Sequence, residues 1–223
     1  MALSFPRKLP EQIADDPKSF GFKNIWWAFP TTDTAGVVAA IELENPQPAN
    51  WQTGIKYAYD RALFVTPPVH EWTLVTGFRL KPHGEDARNE VIDPLLRLSA
   101  MFGSALVFAT HRVVEYHVWA KAVGGSLVRG YGYIGESGRT FWDEGEMTKE
   151  ELELGFAFFD SRSAEAENDS YWDREDLTFP NEMNVMDIAG KWSVSPYELD
   201  SYKPKERRLG VAGDRSAILQ HVA

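Results

Sequence analysis

Glu115 and His117 are the pair whose residue types and spacing come closest to acid–base chemistry. Two residues apart on an extended strand, they point the same way with Cα atoms about 7 Å apart. A carboxylate beside an imidazole is a minimum for hydrolase-type proton transfer on a small molecule. Arg129 and Tyr131 lie in the same hairpin and would complete such a site. A two-residue turn at Gly124-Gly125, however, puts both on the face opposite His117. A metal needs three or four protein ligands, and Glu115 with His117 supplies two. The remaining histidines are His70, His83, His111 and His221. His111 and His117 would lie roughly 20 Å apart along an unbroken strand. No metal is expected, and no cofactor.

Two other motifs fail on context. Gly130, Gly132 and Gly135 spell G-x-G-x-x-G. A dinucleotide fingerprint must follow a strand and open a helix, whereas this one lies inside a strand and runs into the turn sequence Gly135-Glu136-Ser137-Gly138. Glycines that relieve crowding beside aromatic rings are the expected reading, with no nucleotide. Ser137 lacks the glycine that a nucleophile elbow needs two residues later, since Arg139 stands there. Acid pairs such as Asp143 with Glu144 and Asp173 with Glu175 read as solvated charges.

The strongest binding signal is acidic. From Asp160 to Asp176 there are seven acids and two bases, a local charge of −5. Tyr171 and Trp172 sit inside this run. Aromatics framed by acids fit an interface for a basic protein partner. Glu165, Glu167, Asp169, Asp173, Glu175 and Asp176 would form its charged rim, and Tyr171 and Trp172 its anchor. The competing reading is a solvated loop whose Trp tucks back into the core.

The elements that must position these groups follow from periodicity. Val114, Tyr116, Val118, Ala120 and Ala122 alternate with Glu115, His117, Trp119 and Lys121, which predicts a half-buried strand over 113–123. Gly124-Gly125 supplies a primed turn, and 126–134 returns as the second arm. That register sets Trp119 opposite Gly130, His117 opposite Gly132 and Tyr116 opposite Tyr133. Strands are also expected at 24–29, 72–80 and 104–111, and helices after Thr31–Asp33, over 85–102, after the Thr148–Glu151 capping box and over 180–192. The stretch 51–65 is ambiguous between helix and strand. Residues 1–23 read as an irregular arm and 203–223 as a mobile tail. The pattern predicts one α+β domain over 1–223, a largely antiparallel central sheet with helices packed on one face.

Composition bounds the rest. The 223 residues are 43% apolar and 13% aromatic, with eight Trp. The absence of cysteine excludes disulfides, thiolate metal sites and thiol catalysis. A net charge of −10 opposes binding to nucleic acid or an anionic membrane surface. With no apolar leader and no membrane-length run, the expected compartment is the cytoplasm.

The hairpin HRVVEYHVWAKAVGG, the GYIGESG that follows and the later IAGKWSVSP together resemble a family of uncharacterised bacterial proteins, across roughly the second half of the chain. That resemblance brings no catalytic motif with it. In size, acidity and lack of cysteine the chain is also similar, by type rather than motif, to the cytoplasmic immunity proteins that neutralise bacterial polymorphic toxins. The likeness implies stoichiometric binding of a basic toxin or effector. The alternative is a hydrolase-class enzyme with its site on the hairpin, at Glu115 and His117.

Overall fold

A computed structural model describes residues 5–6, 8–60, 62–77, 86–216 and 218–219. Among these residues nine strands form one sheet: β1 (Asn24–Phe29), β2 (Gln47–Ala49), β3 (Leu63–Val65), β4 (Thr73–Thr76), β5 (Ser104–His111), β6 (Tyr116–Val123), β7 (Ser126–Ile134), β8 (Arg139–Glu144) and β9 (Gly210–Gly213). Their order is β2-β9-β3-β4-β1-β5-β6-β7-β8, and each neighbouring pair is antiparallel. Among the described residues six α-helices pack with the sheet: α1 (Thr34–Ala40), α2 (Trp51–Asp60), α3 (Ala87–Phe102), α4 (Lys149–Glu153), α5 (Asp169–Trp172) and α6 (Glu182–Trp192). The α+β class and the antiparallel sheet are as the periodicity predicts.

Helices cover both faces of the sheet, not one. Trp26, Ala28, Phe108, Trp119 and Tyr131 join one apolar cluster with Trp51 of α2 and Val185, Ile188 and Trp192 of α6. Ile25, Trp27, Val107, Val118 and Ala120 join the other with Val37 of α1 and Val91, Leu95 and Leu98 of α3.

 The buried Leu95 and Leu98 lie one turn apart on α3, which places both against the sheet. Two covered faces explain why NIWWAF and ALVFAT are continuous apolar runs, and why the alternating face of β6 is buried as well: His117 and Trp119 have no solvent exposure.

Local chemistry sets the boundaries. Asp33 caps α1 by accepting from Gly36 N at 2.9 Å. Asp15, from the irregular N-terminal arm, caps α2 by accepting from Trp51 N and Gln52 N at 2.7 and 3.0 Å. This second cap settles the ambiguous stretch as helix α2 followed by strand β3, and it comes from 36 residues away in sequence. α3 accommodates Pro94 and ends at Gly103, whose φ of 82° suits glycine.

Three expectations about the elements are corrected. The 203–223 stretch is not a tail throughout: Gly210–Gly213 is β9, inserted between β2 and β3. Of the strand expected over 72–80, β4 covers Thr73–Thr76, and 78–80 lie outside the described residues. The strand expected from 113 begins at Tyr116, because 112–115 form the turn joining β5 to β6. His111 and His117 are therefore not far apart along one strand. They sit on adjacent strands, opposite Tyr116 and Thr110 respectively, and so on opposite faces of the sheet.

Candidate functional site

The hairpin register decides which polar groups meet. Near the turn it is the expected one, with Val123 opposite Ser126 and Ala122 opposite Leu127. A bulge then adds Val128 to β7, and Lys121 faces Arg129, Trp119 faces Tyr131, and His117 faces Tyr133. A one-residue slip reverses faces, so Arg129 and Tyr131 share the face of His117, contrary to the expectation. Trp119 stacks on Tyr131, with ring centroids 4.3 Å apart, rather than lying over Gly130. A Cβ at Gly130 would collide with the Trp142 ring of β8, and one at Gly132 with Phe141. These glycines relieve aromatic crowding inside a strand, and no helix opens after them.

One row of polar side chains crosses five strands on this face: Asn24, Thr110, His117, Tyr133 and Thr140, all buried. His117 Nδ1 is 3.2 Å from the Thr110 hydroxyl and Nε2 is 2.9 Å from the Glu115 carboxylate. Glu115 sits in the β5–β6 turn with a φ of 47°, and its carbonyl accepts from Gly135 N at 3.0 Å. Burial pushes the His117 pKa below its ordinary value, and the bonded Glu115 only partly opposes this. Glu115 and His117 thus do meet, with Thr110 as an unforeseen third member. A hydroxyl, an imidazole and a carboxylate in series can relay a proton. Yet the His117 imidazole has no solvent-exposed surface, and the small cavity beside Asn24 and Thr110 is lined by Ile25, Ala109, His111 and Tyr116 of the other face. His117 holds the row together more than it addresses a substrate.

Arg129 is the second centre. Its Nε donates to both Glu151 oxygens at 3.0 and 3.2 Å, and its Nη1 donates to Asp143 and to the Gly145 carbonyl. Glu151 also accepts from Trp119 Nε1 at 2.8 Å, from Thr148 N at 2.7 Å and from the Thr148 hydroxyl at 2.9 Å. The capping box of α4 is present as expected, and its glutamate has the further task of holding a buried guanidinium. Burial disfavours the Arg129 charge, but Asp143 and Glu151 outweigh it and raise the pKa. Asp143 continues to Arg162 at 3.1 Å, and Arg162 to Asp160 at 2.9 Å. A cleft of about 90 Å³ opens beside this network, walled by Trp119, Tyr131, Phe156, Phe158 and Phe159. Its charges are already paired with one another.

The acidic segment is an ordered loop. Phe159 N donates to the Thr178 carbonyl and Thr178 N to the Ala157 carbonyl, which brings its two ends together. Tyr171 is buried: its hydroxyl accepts from Asp160 N at 2.7 Å and its ring packs edge-on against Phe159. It is therefore a support beneath the loop and not an exposed anchor. Trp172 is 37% exposed, donates to the Ala166 carbonyl at 3.1 Å and stacks on Phe179, which is 49% exposed. Arg174 bridges Glu165 and Asp176, and the bond to Arg174 lowers the Asp176 pKa. Glu167, Asp169, Asp173 and Glu175 are exposed and have no salt bridge among the described residues.

Sequence reasoning missed Thr110, Asn24 and Phe179. Phe179 precedes Pro180 in a polar stretch, and its isolation there was the available signal. Thr110 closes an apolar strand, and only the β5–β6 register gives it meaning. Among the described residues no three His, Asp or Glu side chains converge as metal ligands, while His83 and His221 lie outside those residues. No described helix is long and apolar enough to cross a membrane. No family model, no curated protein and no solved structure matches the chain.

Proposed function

We propose that this protein works by stoichiometric binding, docking the 160–179 loop against a basic protein in the manner of an immunity protein that neutralises a toxin or effector. The observation that carries the reading is the stacked, exposed Trp172–Phe179 pair beside four acids that have no salt bridge among the described residues. An aromatic anchor surrounded by polar groups is the usual composition of an interface hot spot. The loop is tied to itself by successive backbone bonds from Ser163, Ala166, Asn168, Tyr171 and Arg174, so little ordering entropy is lost on docking. Glu167, Asp169, Asp173 and Glu175 would draw a basic surface in and accelerate encounter. A basic face built to hold phosphate or nucleic acid is the complementary partner.

The alternative, a hydrolase-class enzyme on the hairpin, has the Thr110–His117–Glu115 chain in its favour. Its base is fully buried, and a substrate would reach it only after the Glu115 turn opened. The binding reading needs no such opening. The two separate in one experiment: capture a partner from the source cell, identify it, and titrate it with the parent, Trp172→Ala and His117→Gln. The binding reading expects Trp172→Ala to weaken the complex and His117→Gln to leave it intact. Turnover of a small ester or amide by the parent alone, abolished by His117→Gln, would replace it with the enzyme reading.

A further inference from the structure

A second surface has the opposite electrostatic character and shares no residue with the 160–179 loop. The stretch 202–208, YKPKERR, holds four bases and one acid in a chain of net charge −10. It forms one wall of a groove of about 540 Å³, within the few-hundred-Å³ range of small-molecule sites. Pro67, Pro68, His70, Asp15 and the largely buried Trp51 also line it.

Two features make this more than a run of surface lysines. The first is a positioned ring pair. His70 is held at a φ of 54°, a conformation uncommon for residues other than glycine. Its backbone N–H donates to the Tyr202 hydroxyl at 3.3 Å, and the two rings lie 4.5 Å apart. Strain of this kind persists where surrounding structure holds it and clusters at binding sites. The second is how the charges are spent. Asp15 is occupied by the α2 amides, and Glu206 by Arg208 at 2.7 Å. Arg207 grips Asp16 through two bonds of 2.9 Å and so anchors the wall. Lys203 donates to the Asp200 carbonyl at 3.3 Å and has a long ionic contact, 3.9 Å, with Asp16, while Lys205 has no salt bridge among the described residues.

We infer that this groove binds a small organic anion, a phosphate or carboxylate carried on a planar ring, with Lys203 and Lys205 on the anion and the His70–Tyr202 pair against the ring. The test is calorimetric titration of the whole chain at constant ionic strength with phenyl phosphate, benzoate, phenol and inorganic phosphate. The inference expects at least one of phenyl phosphate and benzoate to bind about tenfold more tightly than phenol or inorganic phosphate, and the tighter of the two identifies the anion. Lys203→Gln/Lys205→Gln should lose that preference by about tenfold, a difference of about 1.4 kcal/mol. His70→Ala, which keeps both lysines, should weaken the ring-bearing probes and leave inorganic phosphate unchanged. Equal binding of all four probes, or binding unaltered in the lysine double variant at an unchanged melting temperature, would overturn it.

Discussion

At the scale of single residues, the molecule buries Arg129, Glu151 and His117 where water cannot compensate their charge. Arg129 is buried against Glu151, and removing one member of such a pair leaves an uncompensated charge inside. Glu151→Ala should therefore destabilise the fold by about 3–5 kcal/mol, read from the midpoint of urea unfolding; a loss under about 1 kcal/mol would mean that Asp143 alone supports Arg129. His117 gives a pH dependence whose sign is set by its lowered pKa. Between the folded pKa and the unfolded value of about 6.5, the unfolded chain binds more protons. The stability carried by the neutral imidazole is thus complete above about pH 6.5 and is lost as pH falls below it. Glu144 and Asp160 have lowered pKa values from Arg88 and Arg162, and their losses begin only in the more acidic carboxylate range. Urea unfolding at pH 7.5, 6 and 5 should show a fall for the parent that is reduced in His117→Gln. Parallel profiles would place the acid sensitivity elsewhere. The Glu115–His117 pair was readable from spacing, but Thr110 was not, since it comes from another strand.

At the scale of elements, local periodicity found α1, α3, α4, α6 and the strands β1, β4, β5, β6 and β7, because capping and alternation act within a few residues; α2 and β3 stayed ambiguous, and α5, β2, β8 and β9 were not expected. The larger failures came from longer range. The Val128 bulge cannot be seen in a pattern of alternation that is apolar on both faces, and it alone moves Arg129 and Tyr131 to the face of His117. β9 is only Gly210–Gly213, and its neighbours β2 and β3 lie well over a hundred residues earlier. Short strands of glycine and alanine carry almost no pattern of their own. Two outcomes follow. Amides of 210–213 that bond within the sheet should exchange with the protection of core strands; exchange as fast as that of an exposed loop would restore the tail. Gly130→Ala should cost about 1–3 kcal/mol by overpacking against Trp142, measured by thermal unfolding, and a neutral result would show that the ring can move aside.

At the scale of the whole molecule, charge is segregated. An acidic loop carries −5 of the net −10, while YKPKERR concentrates bases at another surface. The charge of the loop was legible in the sequence; the aromatic pair proposed as its anchor was only partly so, because Tyr171 faces inward and Phe179 lies beside Trp172. A rim of acids should act mainly on the association rate and its salt dependence, and the aromatic pair on dissociation. The most direct measurement is the binding kinetics of the captured partner against the parent, Trp172→Ala and a variant with Glu167, Asp169, Asp173 and Glu175 changed to their amides, at low and physiological salt. The proposal predicts that Trp172→Ala weakens binding by about 2 kcal/mol or more through faster dissociation, and that the amide variant associates more slowly and loses most of its salt dependence. Parental rates and salt dependence in both variants would contradict it.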